Sequence, residues 1–552
     1  NRFISVFNGC IYNFNEIKDF LKSKKISFKT NSDTEVVANS YEYFGKECFN
    51  YFDGMWAIAI YDKEKKDVIL SRDYVGQKPL FYAKAKNYYI FSSQLNGIVV
   101  DKEILLNISK NNLKKYFGYS YIPSPNTIFD KIFQVEPGEN LIINSRNLDC
   151  NKNKYWDFKN GPDYNFLFKK DNKEDFKKQF DNLIYEHSIA DNVPAISLSG
   201  GIDSYIIMKY LKKIKTKFKS FTLGFENKSF DESIYVEKTE THNPKKIFIA
   251  TEKNLKNNFI ELSKLIHDPN GDSSLLPTYI INKEIKKNSN VNIGGDGGDE
   301  SFFGYITFDA FYLADKIKKI FPNFLLKSFS KVVNFKKNSH DYLTFSYKIK
   351  KFLNSIHLEK KFLLPSWFSC LNAKNLSNLF EDKIVEKDLY KELDNIFSND
   401  IDLMRSSQLY HFKYYLPMVL AKVDQASMFN SVESRAPFLS KRVINFSLDQ
   451  NIEKLYKIFK KKYFLKNIFK DIIPKEILYR KKHGFAFPKE KILQDKKLIK
   501  SLIDYNILIN PKFFDSKYEK FLLKKEDCSQ YLWNELILNL CIQNLKKIRH
   551  FN

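Results

Sequence analysis

Cysteine is scarce in this sequence, and no pair of cysteines has the CxxC spacing of a zinc ribbon. The six cysteines lie far apart, at Cys10, Cys48, Cys150, Cys370, Cys528 and Cys541. Neither a zinc centre nor a disulfide framework is therefore predicted. Such a use of cysteine is typical of a reducing compartment, and we expect a cytoplasmic protein.

Long apolar runs are also missing. No stretch approaches the length that a membrane span requires, so we expect no membrane-spanning segment. The chain begins at Asn1 and enters the strand-like run RFISVF at once, which leads us to expect a truncated N-terminus. With 552 residues, 43% of them apolar, the chain is long enough for two or more globular domains.

Acidic residues are outnumbered by basic ones. The chain has 65 Asp and Glu against 90 Lys and Arg, which gives a formal net charge of +25. An excess of this size can mark a nucleic-acid-binding protein. Here the lysines are spread over the whole length, which favours solvated lysine-rich surfaces over one basic footprint. We expect no nucleic-acid partner, although a small anionic substrate would be attracted.

The strongest signal that is present lies at residues 193–214, VPAISLSGGIDSYIIMKYLKKI. An apolar run of strand length comes first, and apolar residues recur at helical spacing after SGGIDS. The glycines between them allow backbone N–H groups to approach an anion at a helix start. Ser199 and Ser204 add hydroxyl donors, whereas Asp203 requires a cation between itself and a phosphate. The segment predicts a pyrophosphate and Mg²⁺ site; the alternative is an ordinary turn capped by Ser or Asp.

The first 100 residues hold several short motifs. Asn8-Gly9 follows an apolar strand and can present a side-chain amide and a backbone N–H to an oxyanion. Asp33, predicted as the N-cap of a helix, offers a carboxylate to an ammonium group. Each feature alone is weak evidence, since Asn-Gly is usually only a turn. The motifs are FNGCIYN (7–13), NSDTEVV (31–37), FDGMWAIAIYD (52–62) and SRDYVGQKPLFY (71–82).

Together these motifs resemble the glutaminase domain of glutamine-hydrolysing asparagine synthetases, which are class II glutamine amidotransferases. Members of that family read FNGEIYN, SDTE, LNGMFAFAIWD and RDRxGxKPLYY in the same order. The resemblance implies an α+β domain of the N-terminal nucleophile type over residues 1–146, incomplete at its start. It also implies that Asn8 and Gly9 form the oxyanion hole and that Asp33 holds the α-amino group of glutamine.

Two departures from the family bear on glutamine hydrolysis. The family's nucleophilic cysteine, and the arginine that grips the glutamine carboxylate, both fall upstream of Asn1. Cys10 stands among the glutamine-binding positions in place of the family's glutamate, which removes a negative charge. We do not expect Cys10 to act as the nucleophile, because it lacks a free α-amino group to serve as base. This chain as given is therefore expected to lack glutaminase activity.

A change of pattern predicts a second domain. Residues 147–175 are rich in Asn, Lys and Asp and are predicted to be a linker. From residue 176 onward, helices alternate with apolar strands such as KSFTLGF (219–225), which predicts a parallel sheet covered by helices. Ligands of such sheets bind beyond the carboxyl ends of the strands. There the backbone of Leu223 could form hydrogen bonds with the edge of an adenine base. The alternative is that Leu223 is an ordinary strand residue.

The segment VNIGGDGGDESFFGY at 291–305 is the second strong signal. Its glycines and carboxylates suit close approach to a nucleotide and Mg²⁺. A Ca²⁺ loop is the competing interpretation, but the EF-hand spacing is absent. Asparagine synthetases have LSGDGGDE here, with Gly294 replacing the serine. The resemblance makes Asp203 and Asp299 the Mg²⁺–pyrophosphate ligands and puts Asp296 at the acidic position associated with forming an acyl-adenylate.

The resemblance thus extends to a synthetase domain of the ATP-pyrophosphatase type over residues 176–552, an α/β domain with a helical C-terminal part. ATP and Mg²⁺ are the cofactors that it implies. The implied ATP-binding residues lie in the two loops and on the strands beside them: Ser197, Ser199, Gly200, Gly201, Asp203, Ser204, Leu223, Gly294 and Gly295.

Two further motifs follow a lysine-rich helical stretch, residues 306–400, in which we identify no catalytic or binding motif. Residues 408–440, QLYHFKYYLPMVLAKVDQASMFNSVESRAPFLS, resemble the family's YLPxxLLxKVDRxSMxxSLExRxPFLD, with Ser440 replacing the aspartate. Their charged residues predict either a network at a substrate pocket or buried ion pairs between helices: Lys422, Asp424, Glu433 and Arg435. RKKHGFAFP (480–488) fits R-x-K-x-G-F and makes Lys482 the cation that stabilises the adenylate phosphate and the tetrahedral intermediate.

The leading hypothesis is ATP-dependent amidation of aspartate through β-aspartyl-AMP, with ammonia supplied by glutamine in the intact protein. Another carboxylate, such as a sugar acid of a surface polysaccharide, is the alternative acceptor. A tRNA-modifying adenylating enzyme and a non-catalytic nucleotide-binding relative are alternatives of other classes. The expected partners are glutamine or ammonia, the carboxylate acceptor, ATP and, as one option, a second copy of the chain in a homodimer.

Overall fold

The computed structural model describes residues 2–158, 173–237, 245–332, 345–398, 400–479 and 487–551. The first part of the chain forms two antiparallel sheets, with strand orders β1-β2-β3-β7-β8 and β5-β4-β6. Their strands are β1 (Phe3–Ile11), β2 (Gly54–Asp62), β3 (Asp67–Arg72), β4 (Phe81–Lys84), β5 (Tyr89–Ser92), β6 (Ile132–Gln134), β7 (Glu139–Asn144) and β8 (Cys150–Lys154).

Strand β2 is buried on both faces. Side chains alternate along a strand, so neighbouring residues of β2 enter different cores. Trp56, Ile58 and Ile60 point into one core, whereas Ala57 and Ala59 point into another. Every residue of β2 except Tyr61 is buried.

Strand β8 lies inside the segment 147–175 that is predicted as a linker. It pairs with β7 in antiparallel register, from Glu139 opposite Lys154 to Ile143 opposite Cys150. The sheet therefore continues to residue 154, and residues 159–172 lie outside the described residues. The domain boundary itself stays a prediction.

The second part of the chain is built on a five-stranded parallel sheet of order β11-β10-β9-β12-β13. Helices precede, separate and follow its strands, which confirms the predicted order of an α+β unit followed by an α/β unit with a helical C-terminal part. Its strands are β9 (Ala195–Ser197), β10 (Lys219–Phe225), β11 (Lys245–Ala250), β12 (Val291–Ile293) and β13 (Glu433–Arg435).

The helices of the first unit are short. They are α1 (Phe14–Ser23), α2 (Asp33–Phe44), α3 (Cys48–Tyr51), α4 (Leu95–Val99) and α5 (Lys110–Tyr119). Those of the second unit up to β13 are α6 (Lys173–Ser188), α7 (Ile202–Lys213), α8 (Ser233–Glu237), α9 (Glu252–Ser263), α10 (Leu275–Lys286), α11 (Gly298–Ser301), α12 (Ile306–Ile320), α13 (Asn323–Val332), α14 (Phe345–Ser355), α15 (Lys360–Phe368), α16 (Ala373–Phe380), α17 (Glu386–Leu389), α18 (Leu403–Tyr410) and α19 (Leu416–Met428).

The regular secondary structure of the described residues that follow β13 is helical. Its helices are α20 (Lys441–Asp449), α21 (Ile452–Leu455), α22 (Tyr463–Ile468), α23 (Lys475–Leu478), α24 (Glu490–Leu493), α25 (Lys496–Leu502), α26 (Pro511–Leu522) and α27 (Ser529–Ile548). In the part of the chain that the structure describes, no helix is both long enough and apolar enough to cross a membrane.

The two units share a hydrophobic core. Tyr116 and Phe117 of α5 are buried in the same cluster as Tyr531 and Trp533 of α27. The hydroxyl of Tyr116 also donates a hydrogen bond to the backbone oxygen of Asn534 at 2.8 Å. Because their side chains fill one core, the two units are packed as a single body at this contact.

A lysine is buried at another contact between the units. Lys441, at the start of α20, is 3% exposed and donates to the backbone oxygen of Asn50 at 3.1 Å. Its ammonium lies 5.0 Å from the centre of the Tyr74 ring. Burial lowers the pKa of Lys441 to about 7, since desolvation outweighs the attraction of Asp53 and Asp73.

We predict that this lysine makes stability depend on pH. The unfolded chain holds the proton up to a pKa near the ordinary 10.5, so between about pH 7 and 10 it binds more protons than the folded chain. Stability should therefore rise with pH in that window, by at most about 1.4 kcal/mol per pH unit. Relative to Lys441→Met, the wild-type Tm should climb from pH 7 to pH 9.5.

The matched control is Lys517→Met, which removes a lysine that is equally buried but paired with Glu526 at 2.6 Å. Its Tm difference from the wild type should stay level over the same pH range. A Tm difference for Lys441→Met that is independent of pH would contradict the prediction.

Candidate active site

The loop SGGIDS joins the end of β9 to the start of α7, as its pattern predicts. Gly200 has φ +66°, a left-handed conformation that favours glycine. The Ser204 hydroxyl accepts a hydrogen bond from the Ser199 backbone N–H at 3.3 Å and donates to the Gly201 backbone oxygen at 3.3 Å. These bonds fold the loop over the first turn of α7, where Asp203 lies.

The loop GGDGGDE starts beside it, because β9 and β12 are neighbouring parallel strands with Ile196 opposite Ile293. Its glycines allow a close approach to Asp203. A Cβ on Gly295 would lie 2.8 Å from the Asp203 Cβ, and a Cβ on Gly298 would lie 2.7 Å from its Oδ1. Any side chain at these two positions would push the loops apart. The structure thus brings together the two strongest motifs of the sequence.

A lysine joins the carboxylates of the two loops. The Lys462 ammonium contacts the Asp203 carboxylate and lies 2.8 Å from Asp299 Oδ1. The three side chains are 4%, 13% and 16% exposed. Burial alone would lower the pKa of Lys462, but the two carboxylates raise it on balance. Lys462 is therefore held as a cation between the loops.

Sequence reasoning misses Lys462. It precedes α22 within the run KIFKKKYFLKN, where nothing distinguishes it from Lys460 and Lys461. Its position follows from the fold, since its backbone N–H donates to the Phe303 oxygen at 3.3 Å and its side chain is buried.

The carboxylates of Asp203 and Asp299 suit a divalent cation. Both lie within reach of one nitrogen, so both can reach one metal ion. Mg²⁺ takes oxygen ligands and usually combines one or two carboxylates with substrate phosphates and water. Among the described residues, no group of three or more His, Cys, Asp or Glu forms a metal site. The donor set fits a Mg²⁺ ion that also binds phosphate oxygens.

Asp296 lies on the same loop but faces the first unit. Burial raises its pKa; Lys422 partly offsets this, whereas Asp203 and Asp299 add to it. Asp296 lines a small cavity whose wall comes from both units and includes Met55, Gln77, Lys78, Leu420 and Asp424.

The predicted charged network consists largely of ion pairs. Lys78 of the first unit lies 2.9 Å from Asp424 of α19, and Arg435 lies 2.6 Å from Glu433. Lys422 is also buried, but its contact with a carboxylate is longer. Its ammonium lies 3.9 Å from Asp272. Neither ion pair joins two helices, because Glu433 and Arg435 both lie on β13 and Lys78 lies between β3 and β4.

The predicted glutamine-binding residues lie near the end of β1. The Asn8 amide donates to the Ser93 hydroxyl at 3.1 Å, and Asp33 accepts the Ile11 backbone N–H at 3.1 Å. Gly9 has φ +152°, and a Cβ there would lie 2.0 Å from the Met55 oxygen. Burial raises the pKa of Asp33 despite its backbone hydrogen bonds.

The predicted N-cap at Asp33 is wrong by one residue. The cap is Ser32, whose hydroxyl accepts the Thr34 backbone N–H at 3.1 Å, and Asp33 is the first residue of α2. The shift leaves the Asp33 carboxylate available to the end of β1, because a cap would have turned it onto its own helix.

Cys10 of β1 lies opposite Met55 of β2, and Arg435 and Glu433 of the second unit are among the charged groups that act on its pKa. Burial raises its pKa to about 12, although Arg435 acts in the opposite direction. The group is therefore a thiol at neutral pH, and thiols are poor nucleophiles compared with thiolates.

The other predicted ATP-binding residues lie on or beside the sheet. The Ser197 hydroxyl donates to Asn292 Oδ1 at 2.9 Å, which links β9 to β12. Leu223 is 6% exposed on β10, and the Gly294 backbone N–H donates to the Arg435 oxygen at 2.8 Å. Lys482 lies outside the described residues.

Two family models match the chain. The model described as Asparagine synthase matches residues 175–543. The model described as Glutamine amidotransferase domain matches residues 1–156. The first contains both loops of the Asp203 site, and the second contains Asn8, Gly9 and Asp33.

Curated relatives match the chain over different lengths. The putative asparagine synthetase (glutamine-hydrolyzing) 2 of Methanocaldococcus jannaschii is 35% identical over 333 residues, which are 58% of this chain and 62% of that relative. The asparagine synthetase (glutamine-hydrolyzing) 1 of Bacillus subtilis is 27% identical over 96% of this chain and 84% of the relative. The asparagine synthetase (glutamine-hydrolyzing) 3 of the same organism is 26% identical over 87% and 75%.

We predict that Lys462→Ala destabilises the second unit and that Mg²⁺ restores part of the loss. Removing one partner of a buried ion pair costs about 3–5 kcal/mol, because the remaining charges lose their compensation. Mg²⁺ should raise the Tm of the variant more than that of the wild type, since it can replace the ammonium between the carboxylates.

The control is Lys466→Ala, which removes a neighbouring lysine on α22 whose pKa burial lowers. It should melt close to the wild type with no added response to Mg²⁺. An unchanged Tm for Lys462→Ala, or a variant that Mg²⁺ does not stabilise, would count against the shared-cation site.

Proposed function

Since the chain belongs to the asparagine synthase family, we propose that it is an ATP-dependent ligase that amidates a carboxylate, with the side chain of aspartate as the acceptor. The observation that carries this proposal is the convergence of the SGGIDS and GGDGGDE loops on Lys462. Two carboxylates and one ammonium meet there at the carboxyl ends of β9 and β12, where ligands of parallel sheets bind.

The proposed reaction has two steps. A carboxylate oxygen of the acceptor attacks the α-phosphorus of ATP, and the bond to pyrophosphate breaks. Ammonia then attacks the acyl carbon, loses a proton and displaces AMP, which keeps the oxygen that came from the acceptor.

The chain's own residues would stabilise the charge that develops on the phosphates. The start of α7 offers backbone N–H groups to an anion, and the Ser199 and Ser204 hydroxyls are within 3.3 Å of each other beside it. Lys462 supplies a fixed positive charge, and we propose Lys482 for the phosphate of the adenylate on the family resemblance. Asp203 and Asp299 would hold Mg²⁺, which neutralises phosphate charge when bound.

Asp296 is proposed as the acid–base group. Burial raises the pKa of Asp296, and a carboxylate with a raised pKa is a stronger base towards the attacking ammonia. Its place in the cavity between the units puts it on the side from which ammonia would arrive if the first unit supplied it.

We propose glutamine as the ammonia source of the intact protein. Asn8 and Gly9 would stabilise the oxyanion, and Asp33 would bind the α-amino group. Cys10 cannot supply the nucleophile, since its pKa of about 12 keeps it a neutral thiol. Free ammonia is therefore the donor with which the synthetase reaction is best tested.

We predict that the purified protein, with ATP, Mg²⁺, ammonium chloride and aspartate, forms asparagine, AMP and pyrophosphate in equal amounts. Asp203→Asn and Asp299→Asn should each lower the rate at least about 100-fold, which corresponds to about 2.7 kcal/mol of lost transition-state stabilisation. Product formation is measured by chromatography and coupled pyrophosphate release.

The matched control is Asp315→Asn on α12, where one buried carboxylate binds the two lysines Lys319 and Lys360. Its activity should equal that of the wild type. The ligase proposal would be contradicted if pyrophosphate were released without an acceptor. It would also be contradicted if no carboxylate led to pyrophosphate release. Activity with another carboxylate, such as a uronic acid, but not with aspartate would overturn only the choice of acceptor.

A further inference from the structure

A buried carboxylate of the first unit is held by consecutive residues of the second. Asp53 is 5% exposed and directly precedes β2. Its oxygens accept hydrogen bonds from the Ser440 hydroxyl at 2.5 Å, the Lys441 backbone N–H at 3.0 Å and Arg442 Nε at 2.7 Å. The Tyr74 hydroxyl of the first unit adds a fourth bond at 3.0 Å. Asp53 is therefore the main acceptor at this contact between the units.

On the side of the second unit, this contact reaches the GGDGGDE loop within one residue. Leu439 precedes Ser440, and its side chain is so close to Gly297 that a Cβ on that glycine would lie 2.4 Å from the Leu439 Cδ2. The Leu439 oxygen also accepts the Tyr74 hydroxyl at 2.9 Å. Gly297 has φ +89°, a left-handed conformation that favours glycine, and a Cβ there would overlap the Leu439 side chain. A shift of the loop towards Leu439 would therefore displace Leu439 and Ser440.

On the side of the first unit, few residues separate Asp53 from the predicted glutamine site. Gly54 follows Asp53 and pairs with Ile11, so closely that a Cβ on Gly54 would lie 2.3 Å from the Cys10 oxygen. The Ile11 backbone N–H donates to the Asp33 carboxylate at 3.1 Å. A displacement of Asp53 is thus passed through the β1–β2 pairing to Asp33.

We propose that Asp53 is a positioning residue that couples the GGDGGDE loop to the end of β1 through its hydrogen bond with Ser440. Ligand binding at the loop then orders the strand pair that carries Asn8 and Gly9 and whose Ile11 backbone N–H binds Asp33. The inference rests on the proposed function, because it takes ATP as the ligand that orders the loop. Another contact between the units, Lys78 with Asp424, leads from α19 and lines the same cavity as Asp296 of the loop, but among the described residues no bond joins it to Asp53.

The test is hydrogen–deuterium exchange of the full chain with and without Mg-ATP, in the absence of acceptor and ammonia so that no turnover occurs. Two regions are compared: residues 294–300 and residues 8–12 with 53–57. In the wild type, Mg-ATP should slow exchange at least about threefold in both regions, because ordering by a ligand suppresses local opening. In Ser440→Ala, only residues 294–300 should slow.

A charge-exchange pair keeps the test independent of a loss of folding. Asp53→Asn should behave like Ser440→Ala, and Asp53→Asn combined with Ser440→Asp should restore slowing at residues 8–12, because a carboxylate again faces a neutral partner. A merely structural contact would change Tm in these variants without changing the response to Mg-ATP. The control is Asp67→Asn, which removes a carboxylate bonded to Asn144 at 2.9 Å on the same sheet.

The outcomes separate the two proposals. If residues 294–300 do not slow in the wild type, the ATP site of the proposed function fails and the coupling fails with it. If they slow while residues 8–12 and 53–57 do not, the coupling is overturned and the ATP site stands. Slowing at residues 8–12 in Ser440→Ala equal to that of the wild type also overturns the coupling.

Discussion

The ammonium of Lys462, shared by two carboxylates, is the interaction on which the organisation of this site depends. Asp203 and Asp299 lie on loops that follow different strands, and their like charges would separate the loops without a cation between them. The parallel neighbours β9 and β12 bring the loops to one edge of the sheet. Glycines at 295 and 298 then let them touch. Two carboxylates are thus held within reach of one cation at this edge of the sheet.

The parts of this arrangement that the sequence could predict are those with a local cause. The turn at SGGIDS can be predicted from the sequence because an apolar strand, the glycines and a helix follow one another directly. The structure has that strand–turn–helix junction. The alternation of helices and apolar strands likewise predicts the parallel sheet. The cap of α2 was misplaced by one residue, since Ser32 and Asp33 both have capping side chains and only the backbone geometry distinguishes them.

What could not be predicted depends on contacts between distant residues. Lys462 is one of many lysines, and it is singled out only because folding buries it 259 residues from Asp203. The bond from Ser440 to Asp53 spans 387 residues and joins the FDGMWAI motif to the PFLS motif. Neither motif taken alone predicts that its polar residue meets the other.

We propose that this site transfers the adenylyl group of ATP to a carboxylate. The most direct measurement uses aspartate labelled with ¹⁸O in its side-chain carboxylate, together with ATP, Mg²⁺ and ammonia, and mass spectrometry of the nucleotide product. We expect AMP that carries one ¹⁸O atom for each amide formed, because the acyl carbon gives up the oxygen that attacked phosphorus. Formation of ADP, or of AMP free of label while the amide accumulates, would contradict it.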